Sequence, residues 1–166
     1  MRPLMLRATK IRSVGHWEAA AAVDSVLLDA DERRRRRITL TGEKGTVFLL
    51  DLACAPALRD GDGLVLDDGG IVRVVGRPEQ LVEIASESVQ DRLRMAWHLG
   101  NRHTDVQVVG DKLRIRRDHV FEAMLAELGA RLDFIEAPFD PERGAYGHQH
   151  DDGAVGTSPH QHDHGT

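Results

Sequence analysis

Among 166 residues there is a single cysteine, Cys54. That excludes an intramolecular disulfide and any cysteine-based zinc or iron–sulfur cluster within one chain, and it fits a reducing compartment. A basic balance is also missing. With a formal net charge of -5 there is no global positive field to recruit nucleic acid or an acidic membrane surface. Nowhere do about 18 apolar residues run together as a bilayer span requires. The opening "MRPLMLRATKIRSVG" lacks the apolar run of about 7 to 15 residues that a signal peptide needs. The expectation is a soluble, cytoplasmic protein. Catalytic signatures are absent too. The glycine-rich pieces do not match GxxxxGK[ST], and there is no GxSxG elbow. Cys54 sits in "LACAP" among apolar residues, where buried packing is expected rather than an activated thiol. The chain reads as a non-enzyme, without internal repeats.

Strand signals dominate the first half. "MLRATKIRSV", "RRRITLT", "GTVFLLDL", "GLVLDD" and "IVRVVG" are Val/Ile/Leu/Thr-rich runs separated by Gly- and Asp-rich turns, which predicts an all-β unit over 1–76. Gly76 and Pro78 then break the pattern. Beyond them "QLVEIAS" predicts a strand, and Ser86 or Ser88 can cap a helix to about Leu99, with Val89, Leu93, Ala96 and Trp97 on one face and Gly100 as its stop. A hairpin follows in "DVQVV" and "KLRIRR", turning at Gly110. Asp118 caps a second helix carrying Val120, Phe121, Met124, Leu125 and Leu128, and "RLDFIEA" closes with a strand. The order β-α-β-β-α-β over 77–142 predicts a ferredoxin-like unit and an α+β chain overall. From 143 to 166 large apolar residues nearly vanish, and disorder is expected from about His148 onward.

That terminal stretch crowds in five of the nine histidines: His148, His150, His160, His162 and His164. Alternating imidazoles with interleaved aspartates suit Ni, Cu or Zn, and an expression tag would usually be an unbroken run. Further back, His103 follows the helix stop in "GNRH". One exposed histidine binds metal poorly, but in a twofold dimer the same loop meets its own copy and supplies two imidazoles. His98, in the last helical turn, is explained equally by ligation or by the helix dipole. His119, after the cap Asp118, is a secondary candidate. His16 reads as ordinary surface. The run Arg33 to Arg37 lacks interleaved aromatics, so a solvated edge strand or a docking face for an acidic partner is the better reading than a nucleic-acid site.

"HLGNRHTDVQV", "LRIRRDHVFEAMLAELG" and "PFDPERGAYGHQH", with the histidine-rich end, together resemble the UreE family of urease accessory proteins, which are nickel metallochaperones. The resemblance is strongest from about Gln80 to His150. It implies a first domain similar to chaperone peptide-binding modules and a ferredoxin-like second domain through which two chains dimerise. It further implies one Ni(II) between two copies of His103, completed by His148 and His150, with Zn(II) or Cu(II) as possible substitutes in vitro. The implied partners are the urease accessory GTPase and the urease apoprotein complex. Where some family members carry further histidines, this chain has Arg116 and Arg117, leaving only His119. The competing readings are a general metal buffer with no dedicated recipient and a nucleic-acid-binding ferredoxin-like module.

Overall fold

A computed structural model describes residues 5–144. Six strands form the first sheet: β1 (Leu6–Arg12), β2 (Asp24–Leu28), β3 (Arg37–Thr41), β4 (Val47–Asp51), β5 (Gly63–Leu66) and β6 (Ile71–Gly76). Their spatial order is β2-β6-β5-β1-β4-β3, with β1 parallel to β4 and β2 parallel to β6. Alternation sends Ala8, Val26, Phe48, Leu50, Leu64, Val72 and Val74 inward, all at most 2% exposed, so this half has its own core. The sequence reading assigned no strand to residues 24–28. "DSVLL" is short and starts on an aspartate, yet its burial alternates and Val26 and Leu28 join the core.

The two edge strands nearly meet, which bends the sheet into an almost closed barrel. Glu43 N donates to Ser25 O across the gap at 2.8 Å. The buried Asp24 carboxylate accepts from the amides of Lys44 and Thr46 at 2.9 and 3.0 Å, and a Cβ on Gly42 would collide with it. Burial raises the pKa of this carboxyl. The converging donors of Lys44, Thr46 and Ser25 outweigh burial and hold it at about 2, below the ordinary 3.8. A depressed folded-state pKa contributes stability above the unfolded value and loses it as pH falls through the folded one. Acid titration of the native protein should therefore show a stability loss between about pH 4 and pH 2 that Asp24→Asn lacks. Parallel pH profiles for the two proteins would assign the acid sensitivity to other groups.

The second half is an α/β unit with two helices: β7 (Pro78–Ala85), α1 (Val89–Asn101), β8 (Gln107–Val109), β9 (Lys112–Arg116), α2 (His119–Glu127) and β10 (Arg131–Pro138). Its strands lie in the order β10-β7-β9-β8, every pair antiparallel. Pro78 opens β7 opposite Pro138, at the end of the ladder where a missing N–H costs least. Both expected caps form. Ser88 Oγ accepts from Asp91 N at 3.2 Å, and Asp118 accepts from Val120 N and Phe121 N at 2.8 and 3.2 Å. Val82, Ile84, Met95, Leu99, Leu113, Ile115 and Leu125 make the core under the helices.

Three details depart from the sequence reading. The expected stripe of α1 is split: Ala96 packs against the core under the helices, whereas its other three members face away from the sheet. Val89, Leu93 and Trp97 are 62%, 67% and 64% exposed, while Met95 and Leu99 provide the buried side. Cys54 is exposed rather than packed, with Ala53 and Ala55 exposed on either side of it. Arg33 is neither solvated nor free for docking; it is buried where the two halves meet. No helix among the described residues is long and apolar enough to cross a membrane.

Candidate metal centre

Helix α1 ends at Asn101, and the chain turns by returning Arg102 N to Leu99 O at 3.2 Å and His103 N to Gly100 O at 3.1 Å. His103 has φ 56°, the only non-glycine residue with positive φ among those described. This is the left-handed position after a helix, where glycine is the usual occupant because a Cβ costs about 1–2 kcal/mol. Histidine tolerates that region better than most residues. A side chain kept there against that cost is the kind of local strain that clusters at functional sites. The imidazole is exposed.

The loop after His103 is tied down on both sides. Asp105 accepts from Arg34 of the first half at 3.1 Å and lies 3.7 Å from Arg116. Arg116 also pairs with Glu79 at 2.8 Å and Asp31 at 3.3 Å, and its guanidinium lies 5.2 Å from the Phe139 ring centroid. Arg117 sits 3.9 Å over Phe134 and pairs with Glu122 at 2.7 Å. These two arginines are thus engaged in structure. They cannot act as ligands.

Arg33 extends the same junction. Its Nε donates to Leu28 O at 3.3 Å, Nη1 to Leu58 O at 3.1 Å and to the Asp140 carboxylate, and Nη2 to Phe139 O at 2.6 Å. Past Asp140 the chain runs beside β8: Glu142 N donates to Val106 O at 2.7 Å, three residues from His103. Glu142 thus lies beside the segment that follows His103, and Arg143 and Gly144 continue along a cavity lined by the 55–59 loop of the first half.

The other candidates are scattered. His98 is half-buried, its ring edge-on to Trp97 with centroids 5.0 Å apart. His119 is exposed as the first residue of α2, and His16 is exposed on the first half. His148, His150, His160, His162 and His164 lie outside the described residues, as does the disorder expected of that segment. Among the described residues no three His, Cys, Asp or Glu side chains converge. The described residues of one chain thus offer no assembled site, and a tight site at His103 needs further ligands. Sequence reasoning missed the roles of Arg33, Arg34 and Glu142. It quoted Gln107 without a role, although its Oε1 accepts from Asp140 N at 3.2 Å.

Comparison with known proteins covers nearly the whole chain. Residues 7–77 match the family model of the UreE urease accessory protein N-terminal domain, and residues 79–166 that of its C-terminal domain. A urease accessory protein UreE from Bradyrhizobium sp. strain BTAi1 is 57% identical over 142 residues, 86% of this chain and 68% of the relative. One from Beijerinckia indica is 48% identical over 160 residues, covering 96% and 87% of the two chains. Another, from Chelativorans sp. strain BNC1, is 41% identical over 160 residues, covering 96% and 99%.

Proposed function

The chain belongs to the UreE family of urease accessory proteins, and from that premise we propose that it is a cytoplasmic, homodimeric nickel metallochaperone for urease maturation. A urease accessory chaperone is not an enzyme, and no reaction is assigned to it. Nickel is its cargo. The observation that carries the reading is His103, exposed and held in a left-handed conformation at the end of a helix whose outer face is apolar.

Val89, Leu93 and Trp97 recur every fourth residue, so they form one stripe along α1. Three large side chains more than 60% exposed on one helix face are a patch that a second copy would cover. A twofold axis at that stripe brings two copies of the helix end together, and with them two His103 side chains. The ferredoxin-like second unit would then carry the dimer, leaving the near-barrel first unit to grip a peptide segment of the partner complex.

Two imidazoles are an incomplete shell for nickel, and His148 and His150 complete it. His119 and His160, His162 and His164 are secondary ligands. Such an open site suits transfer, because one ligand at a time can be exchanged for a ligand of the receiving urease accessory GTPase without releasing a free aqua ion. A closed shell of fixed ligands would hold the metal instead.

The test is nickel titration with light scattering on the wild type and on Leu93→Asp. The wild type should be a dimer with about one tight nickel per pair. A buried aspartate on each side of a twofold contact should give monomers, and these should lose the tight site although His103 is intact. A dimer that persists would place the interface elsewhere. Monomers that still bind tightly would make the site intramolecular.

A further inference from the structure

We infer that the cleft between the two halves is a docking groove for an extended acidic segment of a partner protein, held by Arg59 and Arg143 against the 54–58 loop. The cleft has a volume of about 380 Å³, within the usual span of about 300–1,000 Å³ for binding sites. Its walls are the 55–59 loop with Arg33 and Arg34 on one side, and Asp105 with the chain from Asp140 to Gly144 on the other. A second cavity, reaching to Thr9 and Asp62, shares Ala55, Pro56, Ala57 and Arg143 with it, so the space continues past the loop. The loop is fixed at both ends. Leu52 N donates to Arg36 O at 3.0 Å, Arg36 Nη1 to Ala53 O at 3.3 Å, Arg33 Nη1 to Leu58 O at 3.1 Å, and Arg59 N to the Asp62 carboxylate at 2.8 Å. Between those anchors the amides of Cys54, Ala55 and Ala57 meet no backbone acceptor among the described residues. Main-chain donors that are positioned but unpaired are what an extended peptide can bond, at little ordering cost to the loop.

Charge decides which peptide. Four guanidiniums line the cleft, those of Arg33, Arg34, Arg59 and Arg143, against the three carboxylates of Asp105, Asp140 and Glu142. Asp140 is taken by Arg33, and Asp105 by Arg34 at 3.1 Å and Arg116 at 3.7 Å. Glu142 accepts from Val108 N at 3.2 Å. Arg59 and Arg143 are exposed, and among the described residues neither pairs with a carboxylate. Two planar forks are thus left to take carboxylates, in a chain whose net charge is -5. No aromatic ring is among the described residues lining the cleft, so a nucleic acid would find no stacking platform. The inference rests on the reading that the first half grips a peptide of the partner complex, and it gives that grip a place and a chemistry. Asp105 follows His103 by two residues, so a segment docked here lies beside the loop that holds the cargo.

The experiment is fluorescence anisotropy on metal-free protein, both the full-length chain and one ending at Gly144. The probes are a labelled Glu-Val-Glu-Val-Glu peptide, its Gln-Val-Gln-Val-Gln counterpart and a labelled single-stranded oligonucleotide. The acidic peptide should bind both chains alike, at least about tenfold tighter than the neutral one, and more weakly as salt is added. Arg59→Glu/Arg143→Glu should weaken it about 10- to 100-fold, the loss expected for hydrogen bonds to charged groups. Ala55→Trp, which crowds the cleft without changing its charge, should weaken it too. Arg73→Glu, exposed on β6 and lining neither cavity, should leave it unchanged, and light scattering should give one mass for all variants. Equal affinity for the acidic and neutral peptides, or acidic binding untouched by the changes at Arg59 and Arg143, would overturn the inference and leave a peptide grip standing. Binding of neither peptide would remove the grip as well. Preference for the oligonucleotide, a changed mass, or acidic binding only in the shortened chain would each overturn the inference, by giving the cleft to nucleic acid, to a second copy or to the chain's own end. With no metal present, none of these outcomes bears on nickel.

Discussion

His103→Gly should abolish tight nickel binding while leaving the metal-free fold as stable as before, or slightly more so. Both parts follow from the backbone. At φ 56° the histidine carries the left-handed penalty of about 1–2 kcal/mol that glycine does not. Against this, glycine loses about 0.5–1 kcal/mol more conformational entropy on folding, so the net change lies between zero and a small gain. The imidazole is exposed, so no core contact is lost with it. In the proposed dimer, the substitution removes two ligands at once. Loss of an outer-shell partner alone typically weakens a metal site 10- to 100-fold, so losing two inner ligands should cost at least about 100-fold. Calorimetry with nickel and thermal melting of the metal-free protein would check the two halves. Retained affinity would put the site on the terminal histidines alone. Lost affinity with a lowered melting temperature would give His103 a structural role and undercut the functional one.

The sequence made parts of this legible for identifiable reasons. Caps are local chemistry, so Asp118 could be read directly and the first cap narrowed to Ser86 or Ser88, of which the structure uses Ser88, and the alternation of Leu113 and Ile115 gave the buried face of β9. The β-α-β-β-α-β order came from such local signals. The direction in which a helix turns its apolar stripe is not local. Met95 and Leu99, with Ala96 beside them, fill the core side of α1, and Val89, Leu93 and Trp97 are left outward. Periodicity shows a stripe without saying what covers it. The near-barrel closure was equally hidden, because Asp24 acts through amides twenty and twenty-two residues away. His103 stood out in sequence by its neighbours. Its strained conformation shows only in three dimensions, as does the return of the chain past Val106 at Glu142.

Arg33→Met should cost about 3–5 kcal/mol, the range seen when one member of a buried, hydrogen-bonded charge pair is removed. Five consecutive arginines look alike in sequence, and by composition each belongs in solvent. Arg33 is 2% exposed, and its guanidinium satisfies the carbonyls of Leu28, Leu58 and Phe139 together with the Asp140 carboxylate. Methionine keeps much of the volume and none of the donors. Each acceptor left dry costs about 1–3 kcal/mol, but Asp140 is 23% exposed and can turn to water, which holds the total below the simple sum. Urea denaturation at neutral pH is the measurement, with Arg35→Met, at an exposed position, as a control expected within about 0.5 kcal/mol of wild type. Lysine at position 33 should recover only a minor share, because one ammonium cannot reproduce a planar fork reaching four acceptors. The loss should also split unfolding into two steps. Arg33 joins carbonyls of the first half to the Phe139–Asp140 segment that follows β10; the other polar links between the halves include the partly exposed pairs Arg34–Asp105 and Arg116–Asp31, worth at most about 1 kcal/mol each, and a hydrogen bond from Ala30 N to Glu79. A cost under about 1 kcal/mol with a single transition would show that apolar contact among Ala30, Leu81 and Phe139 holds the halves together without the arginine.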